Sequence, residues 1–369
     1  MKVLVINCGS SSIKYQFIDM DNQSVLAKGL VERIATDGRV KQTNIQGKVY
    51  ENDIEIPNHS VGVAKIIELL LDNEYGVVSS LDEINVVAHR VVHGGEYFDK
   101  SIIITPENLE KIRDCIPLAP LHNPSGVMGI EAIFEAMPNA MQTATFDTAF
   151  HQTMPKYAYT YALQKEVAQK FKIRKYGMHG TSHRYVTLEA SKLLNKDVNE
   201  VNLITCHLGA GSSITAVKNG KSVDTTMGFT PLAGLIMGTR CGDIDPAVVT
   251  FLVNHGYSAD EVDNIMNKKS GLFGVSGVSL DCRDIKEEAT KGNEDCQLAL
   301  DMFEYQIVKF IGSYIPIVNP DAIIFTAGIG ENNADIKDRV MAHFPNIEGL
   351  VIPTNEELMI ALDAVKLVK

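Results

Sequence analysis

Two short Gly-Ser turns are the residues best suited to handling phosphate. They are Gly9-Ser10-Ser11-Ser12-Ile13-Lys14 and Gly209-Ala210-Gly211-Ser212-Ser213-Ile214, and each follows an apolar run. Phosphate oxygens need several N–H donors converging on them, and glycine lets the backbone approach that closely. Serine hydroxyls add donors, and Lys14 adds a point charge. One such turn alone reads as a plain hairpin. Two matched turns, with the Gly-rich stretch Gly328-Ile329-Gly330-Glu331-Asn332, read as phosphate-binding elements. The chain has no G-x-x-x-x-G-K-[ST], so it is not a P-loop protein. It also lacks a G-x-G-x-x-G in dinucleotide context, which counts against nicotinamide chemistry.

Cationic and donor groups gather in similar contexts. Arg90 sits in His89-Arg90-Val91-Val92-His93-Gly94-Gly95, just past an expected buried strand, and Arg240 sits in the loop Gly238-Thr239-Arg240-Cys241-Gly242-Asp243. A planar guanidinium there can bind carboxylate or phosphate through two hydrogen bonds. His179, in Met178-His179-Gly180-Thr181-Ser182-His183, and His207, in His207-Leu208-Gly209, are placed to donate to developing negative charge. The Gly-Thr-Ser after His179 opens a helix, so His179 and His183 do not form a helical metal pair, and no His/Cys spacing suits zinc. Among carboxylates, Asp147 ends an apolar strand and Glu356 stands where the last strand meets the last helix. Mg²⁺ with nucleotide takes one or two carboxylates plus phosphate oxygens and water, a demand this pair can meet.

The elements that must position these groups alternate between strand and helix. Val3–Ile6, Ile13–Asp19, Ile84–Ala88, Ala144–Asp147, Val201–Cys206 and Ile323–Thr326 read as strands. His59–Asp72, Lys165–Lys172, Arg184–Leu194, Ala299–Ile317 (stopped by Pro316 or Pro320) and the stretch after Glu356 read as helices. Gly-x-Ser-Ser-Ile occurs twice, and each half later runs from a strand into paired glycines and a Glu: Gly94-Gly95-Glu96 and Gly328-Ile329-Gly330-Glu331. This pattern indicates duplication of one α/β unit. A length of 369 residues exceeds what one hydrophobic core serves, so two domains are expected. The net charge of -12 argues against nucleic acid and anionic membrane as partners and points to small molecules. The six dispersed cysteines read as reduced thiols, and no apolar run approaches a membrane span. The chain therefore reads as cytoplasmic.

Together these strings resemble the acetate kinase family. The matching segments also include Phe146-Asp147-Thr148-Ala149-Phe150-His151 and Pro353-Thr354-Asn355-Glu356-Glu357, and all of them run in family order over nearly the whole chain. The resemblance implies an α/β protein of two duplicated ribonuclease-H-like domains around a central nucleotide cleft, the actin-like ATPase fold. Its boundaries would be 1–149 completed by 356–369, and 150–355. It implies reversible phosphoryl transfer from ATP to acetate, giving ADP and acetyl phosphate, with Mg²⁺ (or Mn²⁺ in its place), in a homodimer. Carried over residue by residue, Arg90 and Arg240 hold the carboxylate and the phosphoryl group, and His179 donates to the phosphoryl oxygens. Asn7 and Glu356 hold Mg²⁺. Lys14, His207, Leu208, Gly209, Ala210, Gly211, Asp281, Cys282, Arg283, Gly328, Ile329, Gly330, Glu331 and Asn332 line the nucleotide site. Val92, Leu121, Met178 and Pro231 meet the acyl group.

Asp147 is the family's acid/base residue. Acetate is already ionised at neutral pH and has no proton to give up, so an orienting role suits Asp147 better. Two departures from the family stand out. Met178 replaces the more usual Phe or Ala, which leaves propionate as an alternative acceptor. The stretch Asn333–Val351 is shorter than in relatives by some two dozen residues. A reading of another class is a non-catalytic, ATP-driven switch of the actin type, which would leave the two arginines without a task.

Overall fold

Val3, Leu4, Val5 and Ile6 are all buried because both faces of their sheet are covered. A computed structural model describes all 369 residues, and the chain divides into two units: Met1–Ala149 with Asn355–Lys369, and Phe150–Thr354. The first unit holds strands β1 (Lys2–Cys8), β2 (Ser12–Asp19), β3 (Ser24–Glu32), β4 (Arg39–Asn44), β5 (Val49–Asp53), β6 (Val86–Val91), β7 (Ile102–Ile103) and β8 (Met141–Phe146). They form one sheet in the order β5-β4-β3-β2-β1-β6-β8-β7. Leu4, Ile6, Ile13 and Phe17 pack on one face, toward helices His59–Leu71 and Asn123–Ala136. Val3, Val5, Ile18, Val86 and Ala88 pack on the other, against Ile360, Ala361 and Ala364 of helix Glu356–Val368.

The second unit repeats the plan. Its strands are β9 (Leu203–Leu208), β10 (Ser212–Lys218), β11 (Lys221–Thr225), β12 (Ala322–Thr326) and β13 (Glu348–Val351), in the order β11-β10-β9-β12-β13. Ile204, Cys206, Leu208, Ile323 and Phe325 share a core with helix Glu294–Val318, and Leu203, Val217, Ala322 and Ile324 share another with Val186 and Ala190 of helix Gly180–Leu193.

The two sheets have the same five-strand centre. In the first, β1 is antiparallel to β2, β2 to β3, and β1, β6 and β8 run parallel. In the second, β9 is antiparallel to β10, β10 to β11, and β9, β12 and β13 run parallel. The duplication read from two short Gly-Ser strings is therefore present in the strand order.

Two expectations shift. The strand expected over Ile84–Ala88 is β6, Val86–Val91, because Ile84 closes a 3₁₀ turn and the Asn85 carboxamide accepts from Lys2 N at 2.7 Å. Arg90 thus lies on the strand rather than past it. The helix expected over Ala299–Ile317 runs Glu294–Val318, through Pro316. Asn293 caps its start, accepting from Asp295 N and Cys296 N, and Pro316 falls in the last turn, at the loss of the one bond it would have donated to the Gly312 carbonyl. The buried stripe Phe303, Ile307, Ile311, Tyr314, Val318 carries the helix past it. No helix is long and apolar enough to cross a membrane.

Candidate active site

Each unit presents functional groups at the ends of its central strands. In the first, β1, β6 and β8 run parallel and end together, and the side chains of Asn7, Arg90 and Asp147 meet there. The Asp147 carboxylate, only 1% exposed, accepts from Arg90 Nε at 3.2 and 3.1 Å and from Nη2 at 2.6 Å. Arg90 Nη1 donates to Asn7 Oδ1 at 3.4 Å. The charge of Asp147 pushes the Arg90 pKa up, so the guanidinium is permanently cationic and fixed in direction. Lys14 is exposed on β2, directly across from Asn7 in the ladder.

Asn355 fixes where Glu356 stands. Its side chain accepts from Leu358 N at 2.9 Å, which makes Glu356 the first residue of the helix. Glu356 Oε1 is buried and has no hydrogen-bond partner. Burial pushes the Glu356 carboxyl up to about 7, Arg90 opposing it and Asp147 and Glu357 adding to it. A buried carboxylate oxygen with no donor suits a cation. No group of three or more His, Cys, Asp or Glu side chains that could hold a metal alone is present. Mg²⁺ bound with a nucleotide takes few protein ligands and completes its shell with phosphate oxygens and water.

The shifted carboxyl makes stability depend on pH in the metal-free protein. The folded pKa, about 7, lies above the ordinary 4.5, so between those values the native state holds the extra proton. Stability must fall as pH rises through that window and stay low above it. Glu356→Gln removes the titration. It should raise stability at pH 8 by up to ~3 kcal/mol and shrink the difference in Tm between pH 5 and pH 8. Thermal melts in chelator, with parent and variant side by side, check this; an unchanged difference in Tm would contradict it.

In the second unit the turn Gly209-Ala210-Gly211 joins β9 to β10, as Gly9-Ser10-Ser11 joins β1 to β2. A Cβ on Gly211 would lie 3.4 Å from Arg240 Nη1 and 3.4 Å from His179 Cε1 and Nε2. The missing side chain lets a guanidinium and an imidazole edge reach the same turn. His179 has left-handed backbone (φ 58) and opens helix Gly180–Leu193, four residues earlier than expected for that helix. Its ring stacks on His207 at 4.1 Å between centroids. His207 Nδ1 lies 2.8 Å from Ser182 Oγ, itself 2.8 Å from Thr354 Oγ1.

Arg240 differs from Arg90. Its Nη1 donates to the Pro231 carbonyl at 3.2 Å and approaches Met237 Sδ at 3.6 Å, and it has no carboxylate partner. Burial alone moves its pKa, downward. A half-buried guanidinium with most donors uncommitted is a site for an anion.

The remaining expected residues are distributed as follows. Val92 follows Arg90 and is half-buried, while Leu121 is 66% exposed. Met178 is buried, and its carbonyl accepts from His151 Nε2 at 2.9 Å. Asp281 caps helix Cys282–Thr290 and receives both the Arg283 backbone N–H at 2.8 Å and the Arg283 guanidinium at 2.6 Å, while the Cys282 side chain is in the core. Gly328–Asn332 lies in the short helix Ala327–Asn332. Glu331 accepts from Ala327 N at 2.8 Å and Thr354 N at 3.1 Å, and Asn332 donates to Gly328 O at 2.8 Å. Leu208 and Gly330 are buried, and a Cβ on Gly330 would lie 3.4 Å from the Phe325 backbone and 3.6 Å from the Cys206 carbonyl. Sequence places Ser213 in a phosphate turn and marks His183, but misses Thr205 and the bonds by which His183 links Thr205 to Ser213 beside His179. The repeated Ser-Ser after each turn was the available signal.

Residues 2–348 match the acetokinase family. An acetate kinase from Desulfitobacterium hafniense is 52% identical over 397 aligned positions covering 100% of both chains. With 369 residues here, at least 28 of those 397 positions have no counterpart in this chain, a shortening of the expected size. The crystal structure of Porphyromonas gingivalis acetate kinase superposes with a TM-score of 0.95 at 42% identity, covering 100% of both chains. That of a propionate kinase from Francisella tularensis gives 0.93 at 41% identity, covering 99% of both. A profile match over nearly the whole chain, a full-length relative at half identity and two near-superposable structures place this protein in the acetokinase family.

Proposed function

We propose that this chain transfers the terminal phosphoryl group of ATP to acetate, reversibly, giving acetyl phosphate and ADP. The observation that carries the reading is Arg240: a half-buried guanidinium with no carboxylate, meeting His179 at the Gly211 turn. Phosphoryl transfer spreads charge over three equatorial oxygens, and enzymes accelerate it by positioning and by cationic groups. An acetate oxygen forms the new bond to the γ-phosphorus as the bond to the β–γ bridging oxygen breaks, and the electron pair leaves with ADP. No proton moves, because acetate is already ionised.

Arg240 and His179 donate to the phosphoryl oxygens, and Arg90 holds the acetate carboxylate. Asp147 acts as a positioning residue for Arg90 through its three short contacts. Lys14 and the turns Gly9–Ser12 and Gly209–Gly211 offer donors to the nucleotide phosphates, with Gly328–Asn332 and Asp281–Arg283 along the rest of the nucleotide. Glu356 and Asn7 would hold Mg²⁺, which would supply positive charge to offset that of the nucleotide phosphates. Val92, Leu121, Met178 and Pro231 set acyl length. A homodimer belongs to the same reading, and sedimentation tests it.

The deciding experiment compares kcat/KM for acetate, propionate and butyrate with MgATP. Acetate should lead, with each added methylene changing kcat/KM by ~10–200-fold. Phosphorylation of none of the three by folded protein would overturn the assignment.

A further inference from the structure

The face of the second sheet that packs on helix Gly180–Leu193 is apolar at one end, with Leu203 and Val217, and polar toward the turns, with Thr205, His207 and Ser213. His183, one helical turn after His179, reaches into that polar end and is fully buried. Thr205 Oγ1 lies 2.7 Å from His183 Nδ1, His183 Nε2 lies 2.7 Å from Ser213 Oγ, and Ser213 Oγ lies 2.9 Å from His179 Nδ1. Three contacts in series need three protons, one each.

Proton counting gives the chain a direction. His183 is neutral, because burial holds its pKa well below the ordinary value, and the charges of His151 and His207 would lower it further. It therefore carries one N–H. If that proton is on Nε2, Thr205 donates to Nδ1, His183 donates to Ser213, and Ser213 donates to His179 Nδ1. Every proton then has an acceptor. If the proton is on Nδ1, the chain reverses and the Thr205 hydroxyl accepts instead. Thr205 is fully buried, and His183 is the sole partner of its hydroxyl, so the reversed chain strands the Thr205 proton. A stranded buried donor costs about 1–3 kcal/mol, enough to decide between otherwise equal arrangements.

We propose that Thr205, His183 and Ser213 form a one-way hydrogen-bond relay that holds His179 as its Nε2–H tautomer, a donor aimed away from the relay. The consequence for catalysis rests on the phosphoryl-binding role given to His179 above; the relay itself does not. A neutral histidine can stabilise phosphoryl oxygens only through the nitrogen that carries its proton. The Ser213 hydroxyl occupies Nδ1 as a donor, which leaves that proton on Nε2, the edge near Gly211 and Arg240. The three residues position His179 and do not touch substrate.

The test uses Thr205→Val, which keeps the shape and removes the hydroxyl, and Thr205→Ser, which keeps the hydroxyl. Nitrogen NMR of histidine-labelled whole protein, without substrate, reads the His179 tautomer directly. Parent and Thr205→Ser should show protonated Nε2 and bare Nδ1, and Thr205→Val should show a mixture. In the kinase assay Thr205→Val should lose about 10-fold in kcat with KM for MgATP unchanged, and Thr205→Ser should stay near the parent. A parent protonated on Nδ1, an unaltered tautomer in Thr205→Val, or a Thr205→Ser as impaired as Thr205→Val would each overturn the relay. A tautomer shift with full kcat would uphold the relay and overturn the role given to His179.

Discussion

Arg240→Ala is expected to lower kcat by about 10³-fold, the scale on which a guanidinium at a transferring phosphoryl group acts. KM for ATP should change little, since the contacts proposed for the rest of the nucleotide do not involve Arg240. The same substitution should leave Tm unchanged or slightly higher. Arg240 is half-buried with only the Pro231 carbonyl and the Met237 sulfur near Nη1, so the folded state loses hydration there without gaining a counter-charge. Replacing it with alanine relieves that desolvation. Loss of turnover together with loss of folding would point to a structural arginine and refute the assignment. Arg240→Lys should remain deeply impaired, because a point charge cannot grip two oxygens at once.

Asp147→Asn is the second large effect. The carboxamide retains an acceptor for Arg90 but no charge, which leaves a mostly buried guanidinium short of its counter-ion. Stability should fall by about 3 kcal/mol, the lower end for a broken buried pair. Turnover should fall by ~10²-fold with a raised KM for the acyl substrate, because Arg90 loses its fixed direction. The pH profile of kcat/KM decides the role. A positioning Asp147 leaves the profile's shape unchanged in the variant. If instead the profile lost its acidic limb while the melting curve stayed put, Asp147 would be an acid/base residue.

The two arginines show what can be read from a chain and what cannot. Gly-rich surroundings marked both as anion-binding candidates, Arg90 by the apolar run before it and Arg240 by its place in a glycine loop. Their difference was not legible, because it depends on residues far away in sequence: Asp147 clamps Arg90 across 57 positions, and no acid reaches Arg240. The Gly-Ser turns were legible because backbone conformation there is local. The hairpin β4–β5 was passed over, since its exposed, polar residues leave little periodic signal. Pro316 read as a stop, but the packing of Phe303 through Val318 overrode it. Histidine tautomers were furthest from view, as they follow from which hydroxyls three separate elements bring together.

The helix Glu356–Val368 belongs to the first unit yet is encoded after all of the second. A ribosome emits the chain in that order. Until Phe150–Thr354 has been made, the nascent first unit exposes Val3, Val5, Ile18, Val86 and Ala88 on one side of its sheet. Chains cut short by a premature stop would keep that apolar strip uncovered, as a target for chaperones and proteases. Translation therefore cannot release a finished first unit ahead of the second. Because the same helix begins with Glu356, a chain that cannot cover the strip also lacks the carboxylate assigned to the metal, and damaged molecules are inactive as well as conspicuous.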